Sequence, residues 1–287
     1  MYRPQVSVIM SSYNPRHEEW LFGAIESLLR QTLTDWELIL WDDGSDAAGS
    51  QLLHRAARLD PRIKLFSEKV NRGLAYGLNR CLEQASGVFI ARMDDDDLSA
   101  PQRFETQVRF LNNHPEVDWL GSKAWLFDSE GIWGVHEAVP DPGPTDYLPF
   151  SPFIHPSVMF RAESLRRAGG YLDLPLTRRC EDYELFMRMS AMGMKGLNLQ
   201  QELLCYRENR ELLTKRTFHN CWREMRVRLR GFQSLQIGFF RAVPAAVKPM
   251  LVWIVSWMPR TAQSLRRNRS SGMRRLQYDG GDMHYED

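Results

Sequence analysis

The stretch GVFIARMDDDD, residues 87–97, decides the fold, because an apolar run leads directly into four consecutive acids. Gly87 to Ala91 is short and apolar, which is typical of a strand buried in a sheet. Asp94 to Asp97 then place four like charges at the end of that strand, where they repel one another. Divalent cations relieve such repulsion, because hard cations take carboxylate oxygens as ligands. The stretch therefore predicts a metal site at the end of a buried strand.

A solvated acidic turn is the alternative interpretation, since blocks of like charge are often exposed tails. This run is short, lies in the middle of the chain and joins a predicted strand to a predicted helix. Its flanks therefore favour a built site. The helix is predicted to open at Ser99, because Ser99 and Gln102 have the spacing of a capping box.

The chain up to about residue 113 alternates between short apolar runs and helical periodicity. Strands are predicted at 6–10, 36–41, 63–66 and 87–93, and helices at 20–30, 52–59, 74–85 and from 99 onward. This order is typical of an α/β fold with a mostly parallel sheet and helices on both faces. Ligands of such sheets bind at the carboxyl ends of the strands. Polar clusters follow three predicted strands, so we expect one site formed by residues 11–14, 42–45 and 94–97.

Composition bounds the function classes. With 287 residues and 43% hydrophobic content, the chain is long enough for one large domain or two fused domains. Its net charge of +1 gives no indication of a nucleic-acid partner. The four cysteines have neither metal-ligand spacing nor a disulfide pattern, which favours a reducing, cytoplasmic setting. The opening Met-Tyr-Arg-Pro leads straight into a predicted strand, so we expect no signal peptide.

The polar clusters suit a nucleotide held without a glycine-rich phosphate loop. Neither a dinucleotide-binding glycine motif nor a phosphate-loop lysine motif follows the first predicted strand. Tyr13 could stack on a base, Asp43 could accept a hydrogen from a pyrimidine ring nitrogen, and Arg72 could pair with a diphosphate. Asp94 and Asp96 could address the ribose and a metal-bound diphosphate. Taken singly, each has a plainer alternative: a packing tyrosine, an Asp-Gly turn, a solvated arginine and an acidic turn.

An ordered set of short segments lies between Pro4 and Arg207. They are SVIMSSYN (7–14), ESLLRQT (26–32), DDGS (42–45), NRGL (71–74), ARMDDDD (91–97), FIHPSVMFR (153–161), GGY (169–171) and EDYEL (181–185). This set resembles the family-two glycosyltransferases, which have the GT-A fold. The resemblance implies transfer of a hexosyl group from a nucleotide-diphosphate donor, with UDP expected, to a glycan or lipid-linked acceptor. It also implies inversion at the anomeric carbon and a divalent cation, Mg²⁺ or Mn²⁺.

The resemblance also implies roles for individual residues. The Asp-x-Asp metal motif corresponds to Asp94 and Asp96. Its middle position, small in most members, is Asp95 here, so contact with the ion stays open among Asp95, Asp96 and Asp97. Asp182 corresponds to the catalytic base, and Glu181 and His155 to the acceptor or donor pocket. The nucleotide-binding positions are Ser12, Tyr13, Asn14, Asp43, Arg72, Asp94 and Asp95.

The chemistry of inversion needs a single base, because no covalent intermediate forms. Asp182 is expected near a helix N-terminus, where the helix dipole tends to lower a carboxyl pKa. We therefore expect it to depend on neighbouring groups or partial desolvation to act near neutral pH; a plain helix cap is the alternative. His155 could contact the donor diphosphate or the acceptor, ligate a metal, or be a buried structural histidine; a pocket-lining role is favoured over metal ligation.

The chain after Tyr206 differs in character. Residues from His219 onward carry 12 Lys and Arg against 5 Asp and Glu, whereas the rest of the chain is acidic overall. We predict a catalytic domain over 1–210, with a donor half at 1–113 and an acceptor half at 114–210. A basic helical extension follows at 211–278, and then a disordered tail at 279–287.

The extension is expected to touch a membrane without crossing it. Its apolar run is short and broken by Pro and Lys, whereas a spanning helix needs about 20 apolar residues. Aromatic and basic residues over 211–270 suit the interface of an anionic bilayer, at the cytoplasmic face of the cell membrane. The alternatives are packing on the catalytic domain or on a second subunit of a homo-oligomer.

Two other function classes stay in view. A sugar nucleotidyltransferase also has an α/β sheet and a metal, but needs a glycine-rich basic loop where this chain has residues 11–14. A non-enzymatic calcium module needs alternating oxygen ligands around a central glycine, which residues 94–97 lack. The sequence leaves open the donor sugar, the acceptor and the oligomeric state.

Overall fold

The computed structural model describes residues 3–208, 217–256, 276–279 and 282–285. Strands and helices alternate through its first part as predicted. The elements there are β1 (Val6–Ser12), α1 (Glu18–Leu29), β2 (Trp36–Asp43), α2 (Ala47–Ala57), β3 (Ile63–Glu68), α3 (Leu74–Gln84), β4 (Phe89–Arg92), β5 (Leu98–Ser99) and α4 (Arg103–Asn113).

The second part adds longer strands and the C-terminal helices. Its elements are β6 (Trp119–Asp128), β7 (Gly131–His136), two 3₁₀ turns (Pro144–Tyr147 and His155–Ser157), β8 (Met159–Arg161), α5 (Ala162–Arg167), α6 (Glu181–Ala191), β9 (Gly196–Arg207), α7 (Phe218–Ser234), α8 (Phe239–Ser256), β10 (Leu276–Asp279) and β11 (Asp282–Tyr285).

One sheet of eleven strands runs through both parts, in the order β11-β10-β7-β6-β8-β4-β1-β2-β3, with β9 paired to β5 and β6. β1, β2, β3 and β4 are mutually parallel, and β9 is parallel to β6. β8 joins β4 to β6 through antiparallel pairing on both sides. The predicted α/β class with a parallel sheet is confirmed, and strands from residue 119 onward add antiparallel pairs. The sheet is continuous across the predicted boundary at residue 113.

Side chains of β1 alternate between two apolar clusters, one on each face of the sheet. Val8 and Met10 face a cluster that contains residues of α1, α2 and α4. Ile9 faces the other cluster, which contains residues of α3, α5, α6, α7 and α8. This period-two alternation buries both faces of the strand, so helices cover the sheet on both sides, as predicted.

The capping box predicted at Ser99 is wrong. Ser99 lies in β5 and pairs with Leu204 of β9. Its N–H donates to Oγ of Ser27 at 3.0 Å, and its Oγ accepts from Nε2 of Gln31 at 3.1 Å. The helix begins instead at Arg103, because tertiary partners occupy the serine that the local pattern assigned to the cap.

The C-terminal helices α7 and α8 share the core of the catalytic domain. Val227 of α7 and Ala246 of α8 belong to the same apolar cluster as Phe186 of α6. Residues 211–216 and 257–275 of the predicted extension lie outside the described residues. Among the residues that the structure describes, no helix is long and apolar enough to cross a bilayer.

Arg228 joins the two helices to the rest of the protein. Its guanidinium donates to the carbonyls of Leu148 at 3.0 Å and Pro149 at 3.2 Å. It also donates to the carbonyl of Ala245 at 3.3 Å. Pro249, four residues after Ala245, has no N–H to donate to that carbonyl. Arg228 therefore supplies the hydrogen bond that the proline removes from α8.

The tail differs from the expectation of disorder over 279–287. Leu276–Asp279 and Asp282–Tyr285 form an antiparallel pair, and Leu276 pairs with Ile132 of β7. Gly280 and Gly281 lie between these strands in the sequence, and Gly-Gly favours a two-residue hairpin turn. That sequence signal, rather than composition, indicates the pairing of Leu276–Asp279 with Asp282–Tyr285, and residues 280–281 and 286–287 lie outside the described residues.

Candidate active site

The carboxyl ends of three parallel strands meet at one edge of the sheet. β1 ends at Ser12, β2 at Asp43 and β4 at Arg92. The strand register places Ser12 beside Asp42. The three polar clusters that follow these strands therefore lie next to one another, at the edge where ligands bind in parallel α/β sheets.

Asn14 ties the first cluster to the second. Its φ of 50° is a conformation that asparagine tolerates better than most residues. Its N–H donates to Oγ of Ser45 at 2.9 Å, and its Oδ1 accepts from the N–H of Asp46 at 2.7 Å. Tyr13 beside it is 52% exposed. Of these two predicted nucleotide residues, Tyr13 presents a ring to solvent and Asn14 builds the loop.

Asp43 anchors the loop that carries Arg72. Its Oδ2 accepts from the N–H of Gly73 at 2.7 Å, and its carboxylate also accepts from the N–H of Arg72 at 3.1 Å. Burial raises the pKa of Asp43, and these two N–H groups partly offset that rise. The carboxylate predicted to meet a base is therefore already engaged with backbone donors.

Gly44 allows this close approach. Its φ is +78°, and a Cβ there would lie 2.6 Å from the backbone nitrogen of Asn71. Only glycine has both the backbone freedom and the space. The Arg72 side chain beyond this contact is exposed, with its guanidinium carbon 5.5 Å from the centre of the Tyr76 ring.

The acids after β4 lie near a buried arginine side chain, that of Arg92. Arg92 is 3% exposed, and its Nη1 lies 2.5 Å from Oδ2 of Asp94. Burial is the largest single effect and acts to lower the pKa of Arg92, but the charge and hydrogen bond of Asp94, together with Tyr171 and Asp97, raise it overall. Arg92 therefore stays charged and partly balances the carboxylates. The sequence analysis missed this residue, although a cation two positions before an acidic run was a readable signal.

Asp95 is turned towards β1. Its Oδ2 accepts a short hydrogen bond from Oγ of Ser12. Burial raises the pKa of Asp95, and the Ser12 hydroxyl acts against that rise. Ser12 and Asp95, both predicted to bind the nucleotide, are thus hydrogen-bonded to each other and link the end of β1 to the loop after β4.

Asp96 and Asp97 carry the strongest electrostatic strain. Burial, followed by the charges of Asp94 and Asp95, raises the pKa of Asp96 to about 7. Burial and neighbouring carboxylates also raise the pKa of Asp97 well above its ordinary value. In the described part of the chain, the buried Oδ2 of Asp97 has no hydrogen-bond partner. A buried carboxylate destabilises the folded protein unless an opposite charge, such as a bound cation, compensates it.

A divalent cation fits this cluster. Asp94, Asp96 and Asp97 each offer a carboxylate oxygen, and these oxygens lie within 4.8 Å of one another. Oxygen ligands, mutual repulsion and an orphaned buried oxygen together match the preference of Mg²⁺ and Mn²⁺. The predicted ligands Asp94 and Asp96 are thereby brought together, and Asp97 joins them in place of Asp95.

Asp182 lies in the first turn of α6 and is partly buried. Its pKa is raised, not lowered: burial dominates, and the N–H of Tyr183 and the charge of Arg92 only partly offset it. The expected dipole effect is therefore outweighed by desolvation. Arg92 and Asp94 act on the pKa of Asp182 through their charges, so the base candidate and the acid cluster share one electrostatic environment.

Glu181 and His155 are buried beside this region. Burial raises the pKa of Glu181, whose Oε2 has no hydrogen-bond partner among the described residues. Nε2 of His155 lies 2.8 Å from the hydroxyl of Tyr171. Burial and then the charge of Arg92 lower the pKa of His155 well below its ordinary value, so the ring is neutral. Among the described residues, the group that could hold a metal ion consists of Asp94, Asp96 and Asp97, and the pocket-lining role of His155 stays a prediction.

A separate cavity of about 230 Å³ lies between α6 and α7. Its lining is mainly apolar and includes Leu174, Met187 and Val227. None of the predicted site residues lines it, so it is not the place where the polar clusters converge.

A glycosyltransferase with the GT-A fold is the class of protein that this fold and the acidic edge of its sheet indicate. The family model Glycosyl transferase family 2 matches residues 7–169, and the chain belongs to that family. It is 41% identical over 218 residues to EpsE of Bacillus subtilis, covering 75% of this chain and 77% of EpsE. It is 31% identical over 220 residues to the UDP-Gal:alpha-D-GlcNAc-diphosphoundecaprenol beta-1,3-galactosyltransferase of Escherichia coli, covering 74% and 78%.

A solved structure supports the same fold. TarS residues 1–349 of S. aureus, crystallised in complex with UDP, superposes with a TM-score of 0.65 at 17% identity. The match covers 92% of this chain and 75% of the TarS chain. The GT-A fold expected from the sequence is therefore confirmed, and the chain is a glycosyltransferase.

Proposed function

We propose that this enzyme transfers a sugar from a UDP-sugar to a hydroxyl of a lipid-linked glycan, with inversion, during polysaccharide or O-antigen synthesis. The observation that carries the proposal is the ion pair of Arg92 with Asp94 at 2.5 Å, because both of its charges act on the carboxyl of Asp182. UDP as the nucleotide is supported by its presence in the TarS complex. A lipid-linked acceptor is supported by the name of the E. coli relative.

The donor is proposed to lie along the edge formed by β1, β2 and β4. Tyr13 offers its exposed ring to the base, and Asp43 holds the loop from which Arg72 reaches the diphosphate. Asp94, Asp96 and Asp97 would hold Mg²⁺ or Mn²⁺. When bound, that ion stabilises the charge that develops on the departing diphosphate.

Asp182 takes the proton of the acceptor hydroxyl. The hydroxyl oxygen attacks the anomeric carbon of the donor sugar from the face opposite the leaving diphosphate. A raised pKa makes the carboxylate a better proton acceptor than an ordinary aspartate, and partial burial provides that rise. The N–H of Tyr183 and the charge of Arg92 act against that rise. Glu181 and His155 are proposed to line the pocket beside it.

The place of action follows from the acceptor. A polyprenyl-diphosphate acceptor is embedded in a bilayer, so the enzyme is proposed to work from the cytoplasm at the inner face of the cell membrane. Peripheral contact through residues 211–270 would suffice.

The test is transfer from UDP-sugars to a synthetic GlcNAc-diphosphate-polyprenol, with and without EDTA, for the wild type and Asp182→Asn. We expect transfer by the wild type with added Mg²⁺ or Mn²⁺, and its loss with EDTA. Asp182→Asn should lose transfer by about 10³-fold while UDP binding, measured by calorimetry, changes little. Glu163→Gln, an exposed carboxyl on α5, is the matched control. Normal turnover by Asp182→Asn would show that the base is elsewhere.

A further inference from the structure

α8 carries an apolar stripe on the side that faces away from the core. Phe240, Val247, Leu251 and Ile254 recur at spacings that place them on one side of a helix. Phe240 is 91% exposed, Leu251 54% and Ile254 49%. The opposite side, which includes Ala246, is buried in the core. α8 is thus apolar on two sides, and the described part of the chain covers only one.

The same helix pair is strongly basic. Residues 217–256 contain six Lys and Arg residues and a single acid, Glu224. Glu224 lies 2.8 Å from the buried Arg228, so its charge is matched locally. Arg241 and Lys248 are exposed and lie seven positions apart, along one flank of the stripe. Exposed apolar side chains flanked by cations are typical of helices that lie in the interface of an anionic bilayer.

We propose that the outer face of α8, formed by Phe240, Val247, Leu251 and Ile254, seats the protein on an anionic lipid bilayer. The apolar side chains enter the boundary between headgroups and acyl chains. Arg241 and Lys248 meet the lipid phosphates. The proposal rests on the proposed function only in that a lipid-linked acceptor explains why such a contact is useful.

A second copy of the chain fits this face less well. An antiparallel isologous pair formed through the stripe places the same basic flank of both copies against each other at one interface. Arg241 and Lys248 would then meet like charges, which disfavours association. An anionic bilayer instead supplies the opposite charge along the whole length of α8.

The experiment is flotation of the full chain with vesicles of phosphatidylcholine, with and without phosphatidylglycerol. The wild type should float with the vesicles that contain phosphatidylglycerol. Phe240→Ser with Leu251→Ser should lower the fraction bound by about tenfold. The matched control is Leu59→Ser with Val88→Ser, which changes two side chains of 44% and 42% exposure outside α7 and α8, and it should bind as the wild type does.

Charge is tested separately. Arg241→Glu with Lys248→Glu should reduce binding to phosphatidylglycerol vesicles by about tenfold or more. Arg58→Glu with Arg109→Glu makes the same change of net charge at exposed sites elsewhere and should reduce it much less. Equal loss in both double variants would mean that overall charge, rather than this face, drives binding.

Three results would overturn the proposal. The wild type could fail to bind anionic vesicles, or the Phe240→Ser, Leu251→Ser variant could bind normally. Sedimentation could also show a wild-type dimer that this variant dissociates, which would assign the face to a second copy. The proposed function is tested separately, by transfer to a water-soluble short-chain acceptor. Vesicle binding without any transfer would contradict the proposed function but not the proposed membrane contact of α8.

Discussion

Arg207 donates its backbone N–H to Oδ1 of Asp97 at 2.8 Å, across 110 positions of the sequence. Its Nε donates to the carbonyl of Asp96 at 2.9 Å. The end of β9, distant in the sequence, therefore holds the acidic loop in place. These hydrogen bonds hold the acids close together in the metal-free protein, so their mutual repulsion destabilises the folded state.

That repulsion predicts how stability depends on pH. The pKa of Asp96 is raised from 3.8 to about 7, so the folded state binds this proton more tightly than the unfolded state does. The stabilisation is complete below the unfolded pKa and is lost as pH rises through 7. Without metal, the melting temperature should fall by roughly 3–6 °C between about pH 5 and pH 8.

Added Mg²⁺ or Mn²⁺ should reverse this fall, because the ion binds the ionised carboxylates. Asp96→Asn should flatten the metal-free profile, since it removes the group that titrates. Scanning calorimetry over this pH range, with EDTA or with the ion, provides the measurement. A metal-free profile that does not change with pH would contradict the electrostatic account of the cluster.

Arg92→Met should destabilise the metal-free protein by about 3 kcal/mol, because it leaves Asp94 without its buried partner. A divalent cation should restore part of the loss by replacing the missing positive charge. Urea unfolding with EDTA and with Mg²⁺ measures both effects. Arg58→Met, at an exposed position, is the control, and an equal loss there would remove any special role for Arg92.

Gly44→Ala should cost more than Gly193→Ala. Both glycines have φ of +78°, but a Cβ at Gly44 meets the backbone nitrogen of Asn71 at 2.6 Å, whereas nothing lies within 4 Å at Gly193. The control therefore carries the backbone strain of about 1 kcal/mol without the clash. Gly44→Ala should also raise the KM for the donor, because the displaced loop carries Arg72. Steady-state kinetics and urea unfolding of both variants decide this, and equal behaviour would contradict it.

Arg228→Gln should loosen α8, since it removes donors to Leu148, Pro149 and Ala245. Each lost bond from a charged donor is worth about 1.5–3 kcal/mol, less whatever glutamine or water replaces. Hydrogen exchange of the α8 amides should speed up while that of β1 changes little. Arg226→Gln, exposed on the same helix, should leave both unchanged. Protection of α8 that survives Arg228→Gln would show that the apolar contacts alone hold it.

Local pattern was sufficient to predict the first part of the fold. The apolar periodicity of residues 74–85 predicted a helix that the structure places at Leu74–Gln84. The acids of residues 94–97 were recognised because they follow a strand directly, a relationship that sequence displays. Clustering at one sheet edge followed from parallel strand order alone.

Features set by distant contacts escaped prediction. Ser99 lies in a local capping pattern, but Gln31 and Ser27, about 70 positions away, hold it in a strand. The pKa of Asp182 was judged from the helix dipole, whereas burial by the whole fold decides its direction. Arg207 gave no local sign of reaching the acids.

The packing of α7 and α8 on α6 has a geometric consequence for the choice of acceptor. α6 carries Asp182 at its N-terminus, and its Phe186 shares a core with Val227 and Ala246. If α8 rests on a bilayer, the height of Asp182 above the lipid surface is fixed by this shared core. Only an acceptor hydroxyl presented at that height would then be glycosylated. The length of the growing glycan would therefore determine at which stage the enzyme acts.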